Sequence, residues 1–423
     1  MPAPAGPGLD GPASVRHDTS SIGRVDGGGR SARLVLVCDG TVLGALPPIE
    51  LEMPWWPEAH DVVAAARERF GVDVVLLRLL DARSERPFGG AVTYLAEATR
   101  RPDVPLEPWP ADVLADEPLR AAWARPGGPA ALLRWAEEQL EERGHRRTGP
   151  PVQMRSWNLS GIWKLPTTTG PVWLKAVPSF FTHEGAVIEW IGSPPAPRLL
   201  GHAPGRVLME EVPGAANHDT RGPALHPMVH LLTRLQQRAV QHTGELLAMG
   251  VPDRRLPTML ARVESMAEQW AQSVVPDERR ALDALLAELP GRLAQIDSCG
   301  VPDTLVHGDF HPGNVVGPPE AYVLIDWGDC FIGHPLIDEL AFTQRLDPRE
   351  RAVAGRWFVE AWRRIAPGAD PERAAELLRP VLPLLAAVMY ADFCNGIEPD
   401  ERIYHESDVG RMLHQAVVDS AAG

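Results

Sequence analysis

The chain has 423 residues, of which 44% are apolar, and its formal net charge is −15. Because this length exceeds what one hydrophobic core usually serves, we expect two or three folded units. An acidic chain without a basic run would be repelled by a polyphosphate backbone, which argues against a nucleic-acid partner. The longest apolar run, near residues 381–390, falls far short of the roughly 20 residues that a membrane-spanning helix needs.

The cysteines and the N-terminus indicate the compartment. Four cysteines are scattered without CxxC spacing, which argues against a zinc site and against a disulfide framework. The opening MPAPAGPGLDGPASVRHD lacks a charged segment followed by an apolar one, so it shows no secretory signal. We therefore expect a cytoplasmic protein, a monomer or homodimer, with neither a membrane nor a nucleic acid as partner.

The first third of the chain predicts a small α/β unit. Residues 1–30 are rich in Gly, Pro, Ser and Ala without periodicity, which predicts a disordered arm. Apolar patterning then predicts strands at 34–37, 74–80 and 91–98 and helices at 57–70 and 130–143. Helix breakers and charges in GHRRTGPP, residues 144–151, predict a linker. We therefore place a first domain at residues 31–145.

The remainder predicts two lobes of different composition. Strand patterns at 156–165, 172–177 and 206–212, with a helix at 184–191, indicate a small β-rich lobe over residues 151–212. Helical periodicity follows over 228–246, 280–296, 351–364 and 373–393. We therefore expect a helical lobe at residues 213–423.

The stretch VHGDFHPGNVV, residues 306–316, carries the strongest chemical signal. Asp309 and Asn314 follow the kinase catalytic-loop pattern H-x-D-x-x-x-x-N, in which the aspartate accepts the substrate's proton and the asparagine binds metal. Asp326 follows in IDWG, at the end of a short predicted strand. Carboxylate and amide oxygens suit Mg²⁺ bound to nucleotide phosphates. We predict Asp309 as the base, and Asn314 and Asp326 as magnesium ligands.

Neighbouring polar residues are interpreted as supports for this loop. Magnesium does not require histidine, so we expect His307 and His311 to hydrogen-bond the backbone or Asp326. Asp338, in GHPLIDEL, is expected to brace the catalytic segment rather than to contact substrate.

One lysine stands out because the chain has only two, Lys164 and Lys175. Alternation in VWLKAV places Lys175 among apolar neighbours, where its ammonium needs a partner or a ligand. Kinases pair such a lysine with the α- and β-phosphates and with a glutamate of the following helix. Glu184 begins that predicted helix, and Glu189 is the alternative partner. Lys164 is expected to be exposed.

Two further segments are candidates for nucleotide contact. Ser160 and Gly161 lie in SWNLSG, between two predicted strands, where a loop could cover phosphates. Glu210 and Val212 lie in LMEEV, which would suit a strand edge that offers its backbone to an adenine.

These motifs, in this order over residues 151 to about 345, resemble the aminoglycoside phosphotransferase and choline kinase family of small-molecule kinases. HGDxxxxN followed by I-D-W is specific to that group. The resemblance implies an α+β fold with two protein-kinase-like lobes, and the roles already assigned to Asp309, Asn314, Asp326, Lys175 and Glu184. It also implies Mg²⁺ and ATP, or GTP, as cofactors.

The flanking parts give weaker expectations. ARERFGVD, residues 66–73, resembles a degenerate Nudix helix without its metal-binding glutamates, so we expect a non-catalytic accessory domain there. Trp55 and Trp56 are expected to pack against the helix. In the helical lobe, a cluster of carboxylates that includes Asp392, Glu398 and Glu401 could bind the ammonium groups of a substrate, or could be a solvated loop.

The acceptor is therefore expected to be a small molecule that carries a hydroxyl, with an aminoglycoside or amino sugar first. Two alternatives stay open. The acceptor could be Ser or Thr of a peptide in natural-product biosynthesis, or the protein could be a nucleotide-gated binding protein that has lost catalysis.

Overall fold

The computed structural model describes residues 29–84 and 87–421. The predicted disordered arm therefore lies outside the described residues, except for Gly29 and Arg30. Arg30 corrects that prediction, because it begins the first strand and is fully buried. Its guanidinium donates hydrogen bonds to the backbone oxygens of Trp55 and Trp56 and to Asp61, at 2.6–2.8 Å. Both tryptophans are buried. Trp56 shares a cluster with Val62 and Ala66 of the predicted helix, whereas the ring of Trp55 lies against that of Trp157.

The N-terminal unit is a mixed sheet with one helix against it. Its elements are β1 (Arg30–Cys38), β2 (Thr41–Ala45), β3 (Ile49–Leu51), α1 (His60–Phe70), β4 (Val74–Ala82) and β5 (Gly90–Ala98). The strand order is β2-β1-β5-β4, with β3 also on β1, and β1 runs parallel to β5. Helix α2 (Gly128–Glu141) follows after two short 3-10 turns.

The next unit is an antiparallel sheet with one helix. Its elements are β6 (Val152–Trp157), β7 (Ser160–Thr167), β8 (Gly170–Ala176), α3 (Glu184–Ile191), β9 (Leu199–Ala203) and β10 (Arg206–Glu210). The strand order is β6-β7-β8-β10-β9. Although α2 falls within the predicted first domain, its buried side chains join the core of this second sheet. Trp135 and Leu140 of α2 share a cluster with Trp163 and Leu174.

The C-terminal part is mainly helical. Its helices are α4 (His226–Ala239), α5 (Thr243–Ala248), α6 (Leu256–Gln269), α7 (Pro276–Ser298), α8 (Leu336–Thr343), α9 (Pro348–Ile365), α10 (Pro371–Leu378), α11 (Leu382–Gly396) and α12 (Glu406–Ala421). Two short hairpins lie among them, formed by β11 (Thr304–Val306) with β14 (Phe331–Gly333) and by β12 (Val315–Val316) with β13 (Val323–Leu324). One apolar core joins these helices to α3. A β-rich lobe followed by a helical lobe is the predicted bilobal α+β architecture.

Among the described residues, no single helix is long and apolar enough to cross a membrane; α10 and α11, bent by 61°, meet the length and composition criteria only as a pair.

Candidate functional site

The site begins at the buried cation of strand β8. Lys175 Nζ donates hydrogen bonds to Glu184 Oε1 and to Asp326 Oδ1, each at 2.6 Å. Burial alone would lower the pKa of Lys175, but the adjacent carboxylates of Asp326 and Glu184 outweigh burial and raise it. The ammonium therefore stays charged in a closed setting. The alternative partner, Glu189, instead lies beside His202, at 3.3 Å.

The catalytic-loop residues meet on the other side of the cleft. Asn314 Nδ2 donates to the backbone oxygen of Asp309 at 2.9 Å and to its Oδ2 at 3.2 Å. These two bonds fix the orientation of the Asn314 amide. Its Oδ1 is buried and has no hydrogen-bond partner among the described residues. A buried amide oxygen without a partner is costly unless a ligand binds it.

The backbone around these residues is constrained. Asp326 has φ +66°, a left-handed conformation that is uncommon for a residue other than glycine and that clusters at functional sites. Gly308 has φ +85°, and a Cβ there would lie 2.3 Å from the carbonyl oxygen of Asp329. Only glycine fits at position 308, so the loop that carries Asp309 packs directly on the segment after Asp326.

Helix α8 holds the catalytic loop in place through Asp338. Asp338, fully buried, accepts hydrogen bonds from the backbone N–H groups of His307 at 2.8 Å and Gly308 at 3.0 Å. Burial raises the pKa of Asp338 to about 7. The hydrogen bonds from the two N–H groups and from Gln236 lower this pKa but do not outweigh burial. The prediction that Asp338 braces the catalytic segment is confirmed.

Both histidines also hold the loop. His307 Nε2 donates to the carbonyl of Ile325 at 3.0 Å, which ties the loop to the strand before Asp326. His311 Nδ1 accepts from the N–H of Gly313 at 3.0 Å. Burial lowers the pKa of His307 to about 4, so this ring is neutral at neutral pH. Their predicted bracing role is confirmed.

Sequence reasoning missed two charged residues of the site. Arg345, just after α8, donates from Nη2 to Asp309 Oδ1 at 3.1 Å. Asp329 lies near Asp309 and Asp326, and burial together with those two charges raises its pKa to about 8. The sequence IDWGD places Asp329 three residues after Asp326, which was an available signal; nothing local points to Arg345.

A single cleft of about 1280 Å³ connects these groups. On its β-rich side, Ser160, Glu210 and Val212 line the wall, as predicted for nucleotide contact. Ser160 Oγ also accepts from Trp157 Nε1 at 2.9 Å. Gly161 is a correction: it is buried, and a Cβ there would lie 2.9 Å from the rings of Trp123 and Trp163. It provides space for packed tryptophans and does not line the cleft.

The helical side of the cleft is wide and mixed in character. Apolar side chains of α11 and α12 alternate there with charged ones. They include Leu382, Leu385, Met389, Phe393 and Met412, with Arg351, Glu376, Arg379, Asp408, Arg411 and Asp419.

Three of the predicted carboxylates, Asp392, Glu398 and Glu401, do not form this wall. Glu398 is 2% exposed and accepts from Arg120 Nε at 2.8 Å, with Arg78 at 3.5 Å. Glu401 is 3% exposed and accepts from the N–H of Leu79 at 3.1 Å. Both carboxylates are thus bound to the N-terminal unit. The suggestion that they bind substrate was wrong, because the fold buries them against another part of the chain.

Asp392 also lies outside the main cleft. It pairs with Arg254 at 3.2 Å and with Arg262 at 2.5 Å, and lines a smaller cavity of about 420 Å³. Its charge is therefore balanced by two arginines. Lys164, expected to be exposed, is half-buried and paired with Glu211 at 2.7 Å.

The donor set fits a hard divalent cation. Asn314 offers a buried amide oxygen without a protein partner, and Asp326 offers a carboxylate at the cleft wall. Mg²⁺ accepts one or two protein oxygens and completes its shell with water and phosphate oxygens. Among the described residues, no group of three or more His, Cys, Asp or Glu side chains could hold a metal ion.

Comparisons with known proteins agree with this geometry. Residues 171–377 match the family model described as the Phosphotransferase enzyme family. No curated protein matches the chain.

Three solved structures are similar at 14–19% identity. Macrolide 2'-phosphotransferase MphH from Brachybacterium faecium is 15% identical, with TM-score 0.47, over 64% of this chain and 97% of that one. The aminoglycoside phosphotransferase APH(3'')-Id from Streptomyces rimosus, in complex with ADP and streptomycin, is 19% identical, with TM-score 0.40, over 60% of this chain and 96% of that one. A choline/ethanolamine kinase family protein from Mesorhizobium loti is 14% identical, with TM-score 0.43, over 69% and 100%.

At such identities and TM-scores these structures carry no argument about activity. The family match covers both Lys175 and the loop of Asp309, so residues 171–377 are similar to the Phosphotransferase enzyme family.

Proposed function

We propose that the protein transfers the γ-phosphoryl group of ATP, or GTP, to a hydroxyl of a small molecule in a magnesium-dependent reaction. One observation carries the proposal: Lys175 is joined to both Glu184 and Asp326 at 2.6 Å, while Asp309, which accepts a hydrogen bond from Asn314, lines the same cleft. Phosphoryl transfer needs a cation on the phosphates, oxygen ligands for magnesium and a carboxylate for the incoming hydroxyl. Each requirement has a residue here.

Each side chain has a distinct role in this proposal. Lys175 binds the α- and β-phosphates, and Glu184 keeps its ammonium in place. Asp309 orients the acceptor hydroxyl and takes its proton as the new P–O bond forms, while the bond from the γ-phosphorus to the β–γ bridging oxygen breaks and the nucleoside diphosphate leaves. Asn314 Oδ1 and the Asp326 carboxylate hold magnesium, which neutralises charge on the phosphate oxygens when bound.

Ser160, Glu210 and Val212 would contact the nucleotide, because they line the β-rich side of the cleft. The backbone of Glu210 and Val212 lies at the end of β10, between the two lobes. Cytoplasmic location belongs to the same proposal.

The first acceptors to test are aminoglycosides and amino sugars. Asp392, Glu398 and Glu401 do not line the main cleft, but Asp408 and Asp419 of α12 do, and a carboxylate is a suitable partner for an ammonium group. Asp408 is already paired with Arg411, so one of these two charges is balanced within the protein. A peptide Ser or Thr remains the alternative acceptor.

The test is to incubate the protein with Mg-ATP and Mg-GTP against a panel of aminoglycosides, amino sugars, macrolides and Ser/Thr peptides. Diphosphate release and the mass of the product are followed together. Acceptor-dependent release with a phosphorylated product supports the proposal and names the acceptor class. Binding of nucleotide without transfer to any acceptor in the panel, and without hydrolysis, would favour the nucleotide-gated binding protein instead.

A further inference from the structure

The turn between β6 and β7 is bound to a distant segment of the helical lobe. Asn158, 2% exposed, donates from Nδ2 to the carbonyl of Glu401 at 3.1 Å. Its Oδ1 accepts from His405 Nε2 at 3.2 Å. On either side of Asn158, Trp157 and Leu159 line the main cleft. This turn faces the nucleotide half of the cleft. The nitrogen and the oxygen of the Asn158 amide therefore both attach it to the segment that contains Glu401 and His405.

The segment that Asn158 binds leads directly into the acceptor half of the cleft. Glu401 lies in the 3-10 turn Pro399–Tyr404, and α12 begins at Glu406. Two residues after that start, Asp408 lines the cleft, and His405 Nδ1 lies 3.9 Å from Asp408 Oδ2. The side chain of Asn158 thus joins the nucleotide wall to the start of the acceptor wall.

Strand β4 of the N-terminal unit holds both partners at once. Leu76 exchanges two hydrogen bonds of 2.8 Å with the Gln153 side chain, and the Leu77 carbonyl accepts from Ser156 Oγ at 3.0 Å. Two residues later, the N–H of Leu79 binds Glu401 Oε1. Leu76 and Leu77 therefore fix the hairpin, and Leu79 of the same strand fixes the segment before α12.

The junction is buried and hydrogen-bonded, which makes it stiff. Trp157, Leu159 and Tyr404 belong to the same buried cluster as the core of the N-terminal unit. Buried hydrogen bonds in such a setting are stronger than in water, and losing one leaves a buried group unpaired. A motion of the turn at Asn158 must therefore move the segment of Glu401 and His405 or break these bonds.

We propose that Asn158 is a positioning residue that couples the two halves of the cleft, so that nucleotide bound under the hairpin orders the segment 398–408 at the acceptor wall. The inference rests on the proposed nucleotide site. By linkage the coupling is reciprocal, and an acceptor that orders α12 strengthens nucleotide binding by the same factor. Strand β4 of the N-terminal unit binds both the hairpin at the nucleotide half of the cleft and the segment at the acceptor half.

The test is amide hydrogen exchange of the full chain with and without Mg-ADP, for wild type, Asn158→Ala and Asn395→Ala. Asn395 is a matched control because its amide pairs with Gln269, away from this junction. In wild type and Asn395→Ala, Mg-ADP should slow exchange over both 156–161 and 398–408. In Asn158→Ala the slowing over 156–161 should persist, while that over 398–408 falls at least about fivefold, the lower end of usual coupling factors.

Two outcomes overturn the inference: wild-type protection confined to 156–161, or protection of 398–408 that survives in Asn158→Ala. If Asn158→Ala does not fold, Asn158→Asp takes its place, since it keeps the acceptor for His405 and loses only the donor to Glu401. Calorimetry with Mg-ADP tests the proposed nucleotide site separately from the proposed coupling through Asn158. Wild type that does not bind Mg-ADP refutes the nucleotide site and the coupling together, whereas intact binding without remote protection refutes the coupling alone.

Discussion

The ammonium nitrogen of Lys175 lies 2.6 Å from Oε1 of Glu184, and the glutamate is 1% exposed on the first turn of α3. Burial raises the pKa of Glu184, and the neighbouring ammonium opposes that rise. A buried pair of this kind costs desolvation energy that its mutual attraction only partly recovers. Both side chains line the cleft beside Asp326, as the proposed nucleotide site requires.

Replacing Lys175 with Ala should lower kcat/KM for the nucleotide by about 100-fold or more, the usual effect of removing one cation or donor from a reacting phosphate or oxyanion. Lys164→Ala is the matched control. Lys164 is the other lysine of the chain and pairs with Glu211. Steady-state rates over a range of Mg-nucleotide concentrations measure both. Equal kinetics for the two variants would remove Lys175 from the site.

Asp309→Asn should reduce turnover by about 10² to 10⁴-fold, because the amide cannot accept the proton of the hydroxyl. Calorimetry should give a Kd for Mg-ADP close to that of wild type, since magnesium is assigned to Asn314 and Asp326. Loss of nucleotide binding in this variant, with turnover of the remaining complex unchanged, would instead make Asp309 a metal ligand.

His307 predicts a specific dependence of stability on pH. Its pKa is about 4 in the folded protein and 6.5 in the reference state, so the unfolded chain takes up the extra proton. Because the folded pKa is depressed, the stability that the neutral ring contributes is present above pH 6.5 and is lost as pH falls toward 4.

The free energies of unfolding of wild type and His307→Gln should therefore differ more at pH 7.5 than at pH 5. Between pH 7.5 and pH 5, the difference in free energy of unfolding between the two proteins should narrow by roughly 2 kcal/mol. This is the linkage expected for one group with these two pKa values. Urea unfolding at several pH values measures it. A difference that stays constant with pH would show that His307 does not titrate between the two states.

Glu398→Ala should destabilise the protein by about 3 kcal/mol, because it leaves Arg120 buried without a carboxylate and Arg78 with Asp400 alone. The side chain of Glu398 is 2% exposed and that of Arg120 is 9% exposed. Asp283→Ala is the control, since Asp283 forms an exposed pair with Arg279 within one helix and should change stability little. If Glu398 instead served a ligand, the variant would unfold at the same urea concentration as wild type.

Several local features were within reach of the sequence, and one was overlooked. Asp39 and Gly40 both have positive φ and join β1 to β2, and an Asp-Gly pair between apolar strands is a strong hairpin signal. The predicted helix over 373–393 is divided between α10 and α11. Pro380 and Pro383 indicate that break, because proline is disfavoured in a helix interior but tolerated in the first turn, where Pro383 lies.

The chemistry of the loop around Asp309 could be predicted because its members lie within five residues of one another, and local backbone geometry brings them together. The partners of Glu398 could not: Arg120 is 278 residues away, and the sequence has no signal for which carboxylate the fold will bury. The same holds for Arg345, which is 36 residues from Asp309. Short-range spacing thus determined the candidate base and metal ligands, whereas packing between the N-terminal unit and the helical lobe decided which charges face the cleft and which are buried.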